Sequence, residues 1–202
     1  MKTLLAGVND TLRRLGKPPV AALDTNGTST HAHVERFLED ASRDIQKRGW
    51  QWNTKYDVTA DPDGSGNIAV NTLESNNAEV FNVDTYGVDS GKNVTRVGNR
   101  LFDLDNNTTV FTGSLRLIYS FAFSFTDVPD AFQDWMIAKA ALEFAYSYDP
   151  DQARIMRLKE EVALAEMNAK RAEMRAADVS VLDTRALTQV RGRPRTPDRS
   201  VY

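Results

Sequence analysis

The chain has 202 residues, a formal net charge of −3, 41% hydrophobic and 26% charged residues, and no cysteine. This composition is typical of a globular protein and excludes a largely disordered chain, a collagen-like fibre and a coiled-coil fibre. The lack of cysteine suits a reducing cytoplasm and excludes a disulfide scaffold, a thiolate zinc site and a cysteine nucleophile, while no apolar run approaches the roughly 18 residues of a membrane span.

The first predicted element is a short N-terminal helix. Thr3 is a candidate N-cap, and apolar residues recur at helical spacing as far as Leu15. Gly16 and the prolines at 18 and 19 then prevent the helix from continuing.

A second helix is predicted over residues 30–48, after a cap at Ser29 or Thr30 and before Gly49. Its apolar stripe contains Val34, Phe37, Leu38, Ala41 and Ile45. Trp50 and Trp52 follow, and alternation in an extended segment would place both indoles on one face, against the helices.

Residues 52–126 change to a period of two with many turn signals, which predicts an antiparallel β-rich segment. Short strands are predicted at residues 56–59, 67–70, 80–83, 94–97, 101–104, 109–111 and 115–123. The last strand has the clearest alternation, with Leu115, Leu117, Tyr119, Phe121 and Phe123 on one side.

Two more helices are predicted after the β-rich segment. The third begins at a cap on Asp127 or Val128 and carries one apolar face. That face contains Phe132, Trp135, Met136, Lys139, Ala140, Glu143 and Phe144. The fourth restarts at Pro150 and runs to about Ala177, rich in alanine and charge. Its narrow stripe contains Ile155, Leu158, Val162, Ala165, Ala169, Ala172 and Ala176, and its far end, with Met167 and Met174, is expected to project or to pack closely on a neighbour.

The predicted fold class is α+β. A helical bundle body of about four helices, the last one long, comprises residues 1–50 and 127–178, and a small antiparallel β module is inserted at residues 51–126. The candidate structural core contains Trp50, Trp52, Trp135, Phe37, Leu38 and Ile45. Residues 179–202 are predicted to be an extended basic arm, because no periodicity survives there.

Charge is distributed unevenly between the arm and the rest of the chain. The arm holds five arginines against Asp183 and Asp198, which leaves 20 basic and 26 acidic residues in the first 178. The arm's candidate contact residues are Arg185, Arg191, Arg193, Arg195, Arg199 and Tyr202. Solvated disorder and nucleic-acid binding are two interpretations, and docking on an acidic or carbonyl-rich protein surface fits the acidic body best.

The sequence contains few residues suited to binding a metal ion or a cofactor. His31 and His33 are the only histidines, and positions i and i+2 of a helix point apart. Alternating oxygen side chains from Asp61 to Asn67 imitate a calcium loop, but Thr72 stands where the bidentate carboxylate is needed. We therefore expect no cofactor, no metal site and an ordinary turn.

Carboxylates of the β-rich segment are the remaining candidates for catalysis. Asp103, Asp105, Glu74 and Glu79 contain the residue type that a glycosidase pair uses, but nothing in their spacing fixes two of them at a working separation. No catalytic residue is predicted.

Several stretches together carry a family resemblance. They are VNDTL at residues 8–12, LGKPPV at 15–20, RDIQKRGWQWN at 43–53, LFD at 101–103 and VPDAFQDWMIAKA at 128–140. Over about residues 4–146 the chain resembles the tail tubular protein A family, the head-to-tail adaptors of short-tailed bacteriophages. The specific parts are the Gln-x-Arg-Gly-Trp sequence and the Gly-x-Pro-Pro turn.

The resemblance implies a structural role without catalysis, in the neck region of the virion tail, after synthesis in the host cytoplasm. It implies a ring of twelve copies between the portal protein and a tail nozzle of the tail tubular protein B type, with the helical part facing the portal. The β module would contribute contacts to the nozzle and the tail fibres. Genomic DNA would pass through the channel during ejection, and an acidic body would let it slide without binding.

Two alternatives from other classes stay open at this point. One is a tail-associated glycan-degrading enzyme, which a turnover assay would detect. The other is a DNA-binding packaging factor, whose affinity would fall steeply with salt.

Overall fold

The computed structural model describes residues 1–24, 27, 29–74, 78–149 and 151–182, with backbone only for 177–182. The predicted α+β class is confirmed: the described part of the chain combines four helices with small antiparallel sheets. The helices are α1 (Leu4–Arg14), α2 (Thr30–Gln46), α3 (Asp130–Tyr148) and α4 (Gln152–Leu182). The strands are β1 (Thr54–Ala60), β2 (Val80–Thr85), β3 (Val94–Val97), β4 (Arg100–Asp103) and β5 (Leu115–Phe121). We call α1–α4 the helical body and residues 54–121 the β module.

Side-chain caps start the first two helices as the sequence predicts. The Thr3 hydroxyl accepts a hydrogen bond from the Ala6 amide at 3.2 Å, and the Ser29 hydroxyl accepts one from Ala32 at 3.3 Å. Gly49 adopts a φ of +73°, a conformation that glycine reaches without strain, directly after the turn at residues 47–48 that ends α2. The second helix therefore ends before Arg48, the predicted limit.

Helix α3 is the centre of the helical body and contacts α1, α2 and α4. The prediction of one apolar face was wrong, because helices cover α3 on several sides and bury further positions. The additional buried residues are Gln133, Ile137, Ala138, Ala141 and Ala145. The predicted cap at Asp127 or Val128 was also wrong, since Asp127 lies in a 3₁₀ turn and Pro129 occupies the N-cap position.

Helix α4 packs on α3 through its first part. Ile155, Leu158 and Ala169 are buried, whereas Ala172 and Ala176 from the predicted stripe are exposed. The helix continues to Leu182, beyond the predicted end near Ala177, because no glycine or proline interrupts residues 152–182. The predicted start of the extended arm at residue 179 was therefore wrong, since residues 179–182 are helical.

The β module contains a three-stranded antiparallel sheet of order β1-β5-β2 and a β3-β4 hairpin. It encloses a second hydrophobic core that is separate from the core around α3. The alternation predicted for β5 places Leu115, Leu117 and Tyr119 in this core.

Two predicted strands of the β module were wrong. Residues 67–70 and 109–111 form only single bridges, such as Asn67 with Val110. Gly66, just before Asn67, has a φ of +81°, and a Cβ there would lie 2.6 Å from Val110 Cγ1. No ladder forms, because Asn67 pairs with Val110 while Ala69 pairs with Arg100.

The extended Trp50–Trp52 segment was also predicted wrongly. Residues Gln51–Asn53 form a 3₁₀ turn, closed by a hydrogen bond from the Trp50 amide to Asn53 Oδ1 at 2.7 Å. Both indoles nevertheless reach the Phe132 ring, with centroid distances of 4.9 and 5.1 Å.

Over the part of the chain that the structure describes, no helix has the length and apolar character needed to cross a membrane.

Candidate functional site

The carboxylates considered for glycan chemistry are occupied by structural hydrogen bonds. Asp103 accepts from the amides of Asp105 and Asn106 and from the Asn106 side chain, at 2.9 to 3.0 Å. The Asn106 side chain lowers the pKa of Asp103 most, followed by the Asn106 amide. Asp105 in turn accepts from the side chain and amide of Asn93. Both side chains hold a turn, and the lowered pKa of Asp103 is unsuited to a proton-donating acid.

Glu74 and Glu79 also have fixed partners. Buried Glu74 accepts from the Tyr119 hydroxyl at 2.9 Å and pairs with Lys55 at 2.7 Å. Burial raises the pKa of Tyr119, and the hydrogen bond to Glu74 raises it further, so the phenol remains a donor. Glu79 forms a two-pronged pair with Arg43. Nothing in these contacts favours a glycosidase site.

The candidate metal-binding residues serve other purposes. Asp63 accepts from the amides of Ser65 and Asn67 at 2.8 and 2.9 Å, which is the hydrogen bonding of an ordinary turn. The His33 ring contacts the Tyr148 ring at a centroid distance of 5.7 Å. Among the described residues, no group of three or more His, Cys, Asp or Glu side chains is placed to hold a metal ion.

The six candidate core residues all belong to the cluster around α3. Leu38, Ile45 and Trp135 are buried, while Phe37, Trp50 and Trp52 are partly buried against the same cluster. The Trp50 indole donates to the Ile45 carbonyl at 2.7 Å. The structure thus places all six in the helical body or at its border.

Two buried amide side chains connect the helical body to the last residue of β5 and to the segment that follows it. Gln46, at the end of α2, donates to the Phe123 carbonyl at 3.0 Å and accepts from the Phe123 amide at 2.7 Å. Asn53 donates to the carbonyls of Gln46 and Phe121, at 2.9 and 3.1 Å. The sequence predictions missed these joining residues, and the only signal was two amides within a tryptophan-rich stretch.

The joined regions hold a groove of about 330 Å³ between them. Leu38, Phe81, Phe123 and Phe125 supply apolar surface, and Glu39 stands among the lining residues. Burial raises the pKa of Glu39, and the nearby charges of Glu35 and Asp40 raise it further. The groove is an open surface feature between two cores, and Glu79, the second carboxylate of its lining, is paired with Arg43.

The outer face of the three-stranded sheet carries exposed aromatic and charged groups. Tyr56 and Tyr86 lie side by side with ring centroids 6.2 Å apart. Asp57, at the bulge of β1, has a φ of +59° and pairs with Arg116 through contacts of 2.6 Å. Exposed tyrosines and arginine are enriched at protein interfaces, so this face has the composition of a contact surface.

A second exposed surface follows α4. Met156, Leu164, Met167 and Met174 are between 40% and 59% exposed, although they are large apolar side chains. The candidate residues of the arm, which are Arg185, Arg191, Arg193, Arg195, Arg199 and Tyr202, lie outside the described residues. The described part of the chain therefore exposes two surfaces whose composition is typical of contact surfaces.

Comparison with known proteins adds one match. A family model described as tail tubular protein matches residues 5–183, which is most of the chain. The search of curated proteins found no significant match.

Proposed function

The chain belongs to the tail tubular protein family and is a structural protein of a bacteriophage tail; from that premise we propose that it is the A-type member, the head-to-tail adaptor. In this role, copies of the chain form a ring of twelve between the portal protein and a B-type nozzle. The helical body faces the portal, and the β module faces the nozzle and the tail fibres. The protein then lies in the neck of the virion and acts by shape, without a catalytic site.

One observation carries this proposal: two cores, each with its own exposed surface, are joined rigidly. Gln46 and Asn53 make three hydrogen bonds to Phe121 and Phe123, and Asn53 also donates to the Gln46 carbonyl; all four involve buried or partly buried groups. Arg43 with Glu79, and Asn82 with the Lys47 carbonyl, add contacts at the rim. An adaptor that connects two larger assemblies needs its two contact surfaces held at a fixed angle, and this junction supplies that.

The charge distribution supports passage of DNA through a channel formed by such copies. The net charge is −3, and the first 178 residues carry six more acidic than basic groups. A weakly acidic surface is not attracted to the phosphates of DNA, so the genome would slide past it. A binding assay with duplex DNA at several salt concentrations tests this. Tight binding that weakens steeply with salt would instead favour a packaging factor.

The arm supports a contact with the portal or a neighbouring subunit. Its five arginines offer planar donors that pair with carboxylates and carbonyl oxygens. Removing residues 183–202, directly after α4, should leave a folded protein that no longer attaches to DNA-filled heads. A matched variant with the five arginines changed to lysine separates charge from geometry, because lysine keeps the charge and loses the planar fork. Normal attachment of the truncated chain would contradict this assignment.

The location in the virion is tested by particles that lack the protein. Phage grown without this gene product should yield DNA-filled heads without nozzles. Complementation with a tagged copy should restore the nozzles. Images of complemented particles should show the tag in the neck, in a ring whose subunits can be counted. A tag found elsewhere, or purified protein that degrades glycan at a useful rate, would end the adaptor proposal.

A further inference from the structure

Helix α4 presents two different surfaces on opposite sides of its second half. Successive residues of an α-helix are turned by about 100°, so Ala172 and Met174 point about 160° away from each other. Ala172 and Ala176 face the turn at residues 51–53, whereas Met167 and Met174 face away from the helical body. Both surfaces are formed by residues that the structure describes with side chains.

The first surface is a concave apolar groove of about 220 Å³, which we call the Trp52 groove. It is lined by Gln51, Trp52, Pro129, Phe132, Ala172, Glu173 and Ala176. Two aromatic rings and two alanines leave a slot with little polar character. Glu173, which accepts from the Gln51 amide, supplies a negative charge at its rim.

The second surface is a row of flexible, exposed side chains, which we call the methionine row: Met156, Met167 and Met174. These side chains are 57%, 40% and 59% exposed. Spacings of 11 and 7 residues bring all three to one side of the helix. Arg171 and Arg175 flank the row, and neither forms an ion pair with a described residue, whereas Lys170 is held by Glu166 at 2.8 Å.

We propose that the methionine row of one subunit inserts into the Trp52 groove of the next copy of this chain; the proposal rests on the ring proposed above. A closed ring requires a heterologous contact, in which one surface meets a different surface of the neighbour. Two complementary surfaces on opposite sides of one helix satisfy that requirement, because each subunit then contacts one copy on either side.

The chemistry of the two surfaces favours a second copy of the chain as the occupant. Thioether groups pack favourably against aromatic rings, and the groove offers the rings of Trp52 and Phe132. Methionine also adapts its shape to an irregular slot. Arg171 and Arg175 beside the row bring positive charge toward the negative rim at Glu173, so the two surfaces match in charge as well as in polarity.

Cysteine pairs test the contact directly, because the natural chain has no cysteine. In the double variant Ala172→Cys, Met174→Cys the two thiols of one chain point apart, so they cannot form a disulfide with each other. Mild oxidation of complemented phage particles should link residue 172 of one subunit to residue 174 of the next and give a ladder of covalent multimers. Each single-cysteine variant should stay monomeric under the same oxidation.

The outcomes separate this inference from the proposed function. Protein that is present in the tail ring but yields no multimers overturns the inference and leaves the adaptor role intact. Dimers from the single-cysteine variants indicate a contact between identical surfaces, and a link to the portal indicates another occupant; either result overturns the inference. Wild-type protein that is absent from tails overturns the adaptor role, and with it the inference that depends on it.

A second variant covers the case in which the cysteines prevent incorporation. Met174→Glu places a charge in the proposed contact without disturbing the buried side of α4, so its circular dichroism should be unchanged. We expect at least a tenfold loss of infectious particles. Met174→Leu is the matched control, because it keeps an apolar side chain of similar volume at the same position and should leave the yield unchanged. Equal yields from the two variants would contradict the proposal.

Discussion

The helical body and the β module achieve their stability by different means. Around α3 the interior is filled by large apolar groups, including Trp135, Phe132 and Met136, with exposed fractions of 2% or less. The β module has a smaller core and relies on turns held by carboxylates such as Asp63 and Asp103. The helical body therefore supports the β module, because a few short strands alone would be only marginally stable.

The largest expected effect is at the centre of the helical body. Trp135→Ala removes a buried indole that contacts Trp50 and Phe132, and large-to-small changes of this kind cost about 3–5 kcal/mol. Urea unfolding followed by circular dichroism should show the loss. Tyr146→Ala on the exposed side of the same helix should change the free energy of unfolding by less than about 0.5 kcal/mol. Similar losses from the two changes would contradict the central role of α3.

A somewhat smaller effect is expected at the centre of the β module. Leu117→Ala in β5 empties a fully buried position, at a cost toward the lower end of about 2–5 kcal/mol. Hydrogen exchange should show the loss mainly in the amides of β1, β2 and β5. Ile118→Ala, one residue along and on the other side of the sheet, is the control. Equal loss of protection throughout α3 would show that the two regions unfold as one unit.

The next largest loss of stability is expected at the junction between the two regions. Asn53→Ala removes the donor to two carbonyls and leaves them without that partner, at a cost of about 1–3 kcal/mol. We expect the β module to lose hydrogen-exchange protection before the helical body does. Asn82→Ala, which removes an exposed hydrogen bond across the same junction, should leave the two regions coupled. If both variants behave alike, the buried amides do not join the regions.

The smallest expected effect concerns an ion pair within the helical body. Hydrogen bonds from Lys139 and Lys47 lower the pKa of Asp44 to about 2, from an ordinary value of 3.8. A carboxyl whose pKa is lower in the folded state stabilises the fold above pH 4 and loses that contribution as the pH falls toward 2. Asp44→Asn should therefore be less stable than wild type near pH 6, by less than about 1 kcal/mol because the group is partly exposed. The two unfolding free energies should converge near pH 2, and a constant difference would contradict this.

The predictions from sequence succeeded where the signal is local. The ends of the first two helices were located within a few residues by the caps Thr3 and Ser29 and by Gly49. The two hydroxyls accept hydrogen bonds from backbone amides of the first helical turn, and Gly49 adopts the positive φ that ends a helix. The alternation of β5 similarly identified the residues that face the second core, since neighbouring side chains of a strand point to opposite faces.

The failures occurred where a distant partner decides. Residues 67–70 have strand propensity, yet Ala69 and Asn67 pair with residues of two different segments, so no ladder forms. The apolar pattern that included Lys139 gave no sign of its distant partner, Asp44 of α2, which its ammonium contacts at 2.8 Å. The surfaces proposed to act in assembly also depend on which sides of α4 the other elements leave uncovered.

By itself, the sequence determined the α+β class, the order of the elements and a family resemblance, because periodicity, caps and motifs are written in neighbouring residues. Only the tertiary structure decided that α3 is enclosed, that Gln46 and Asn53 join the two cores, and that α4 has a groove on one side and a methionine row on the other. Burial and hydrogen-bond partners depend on distant segments, such as Gln46 with Phe123, 77 residues apart, or Lys2 with Gln133, 131 residues apart, and a local pattern does not contain that information.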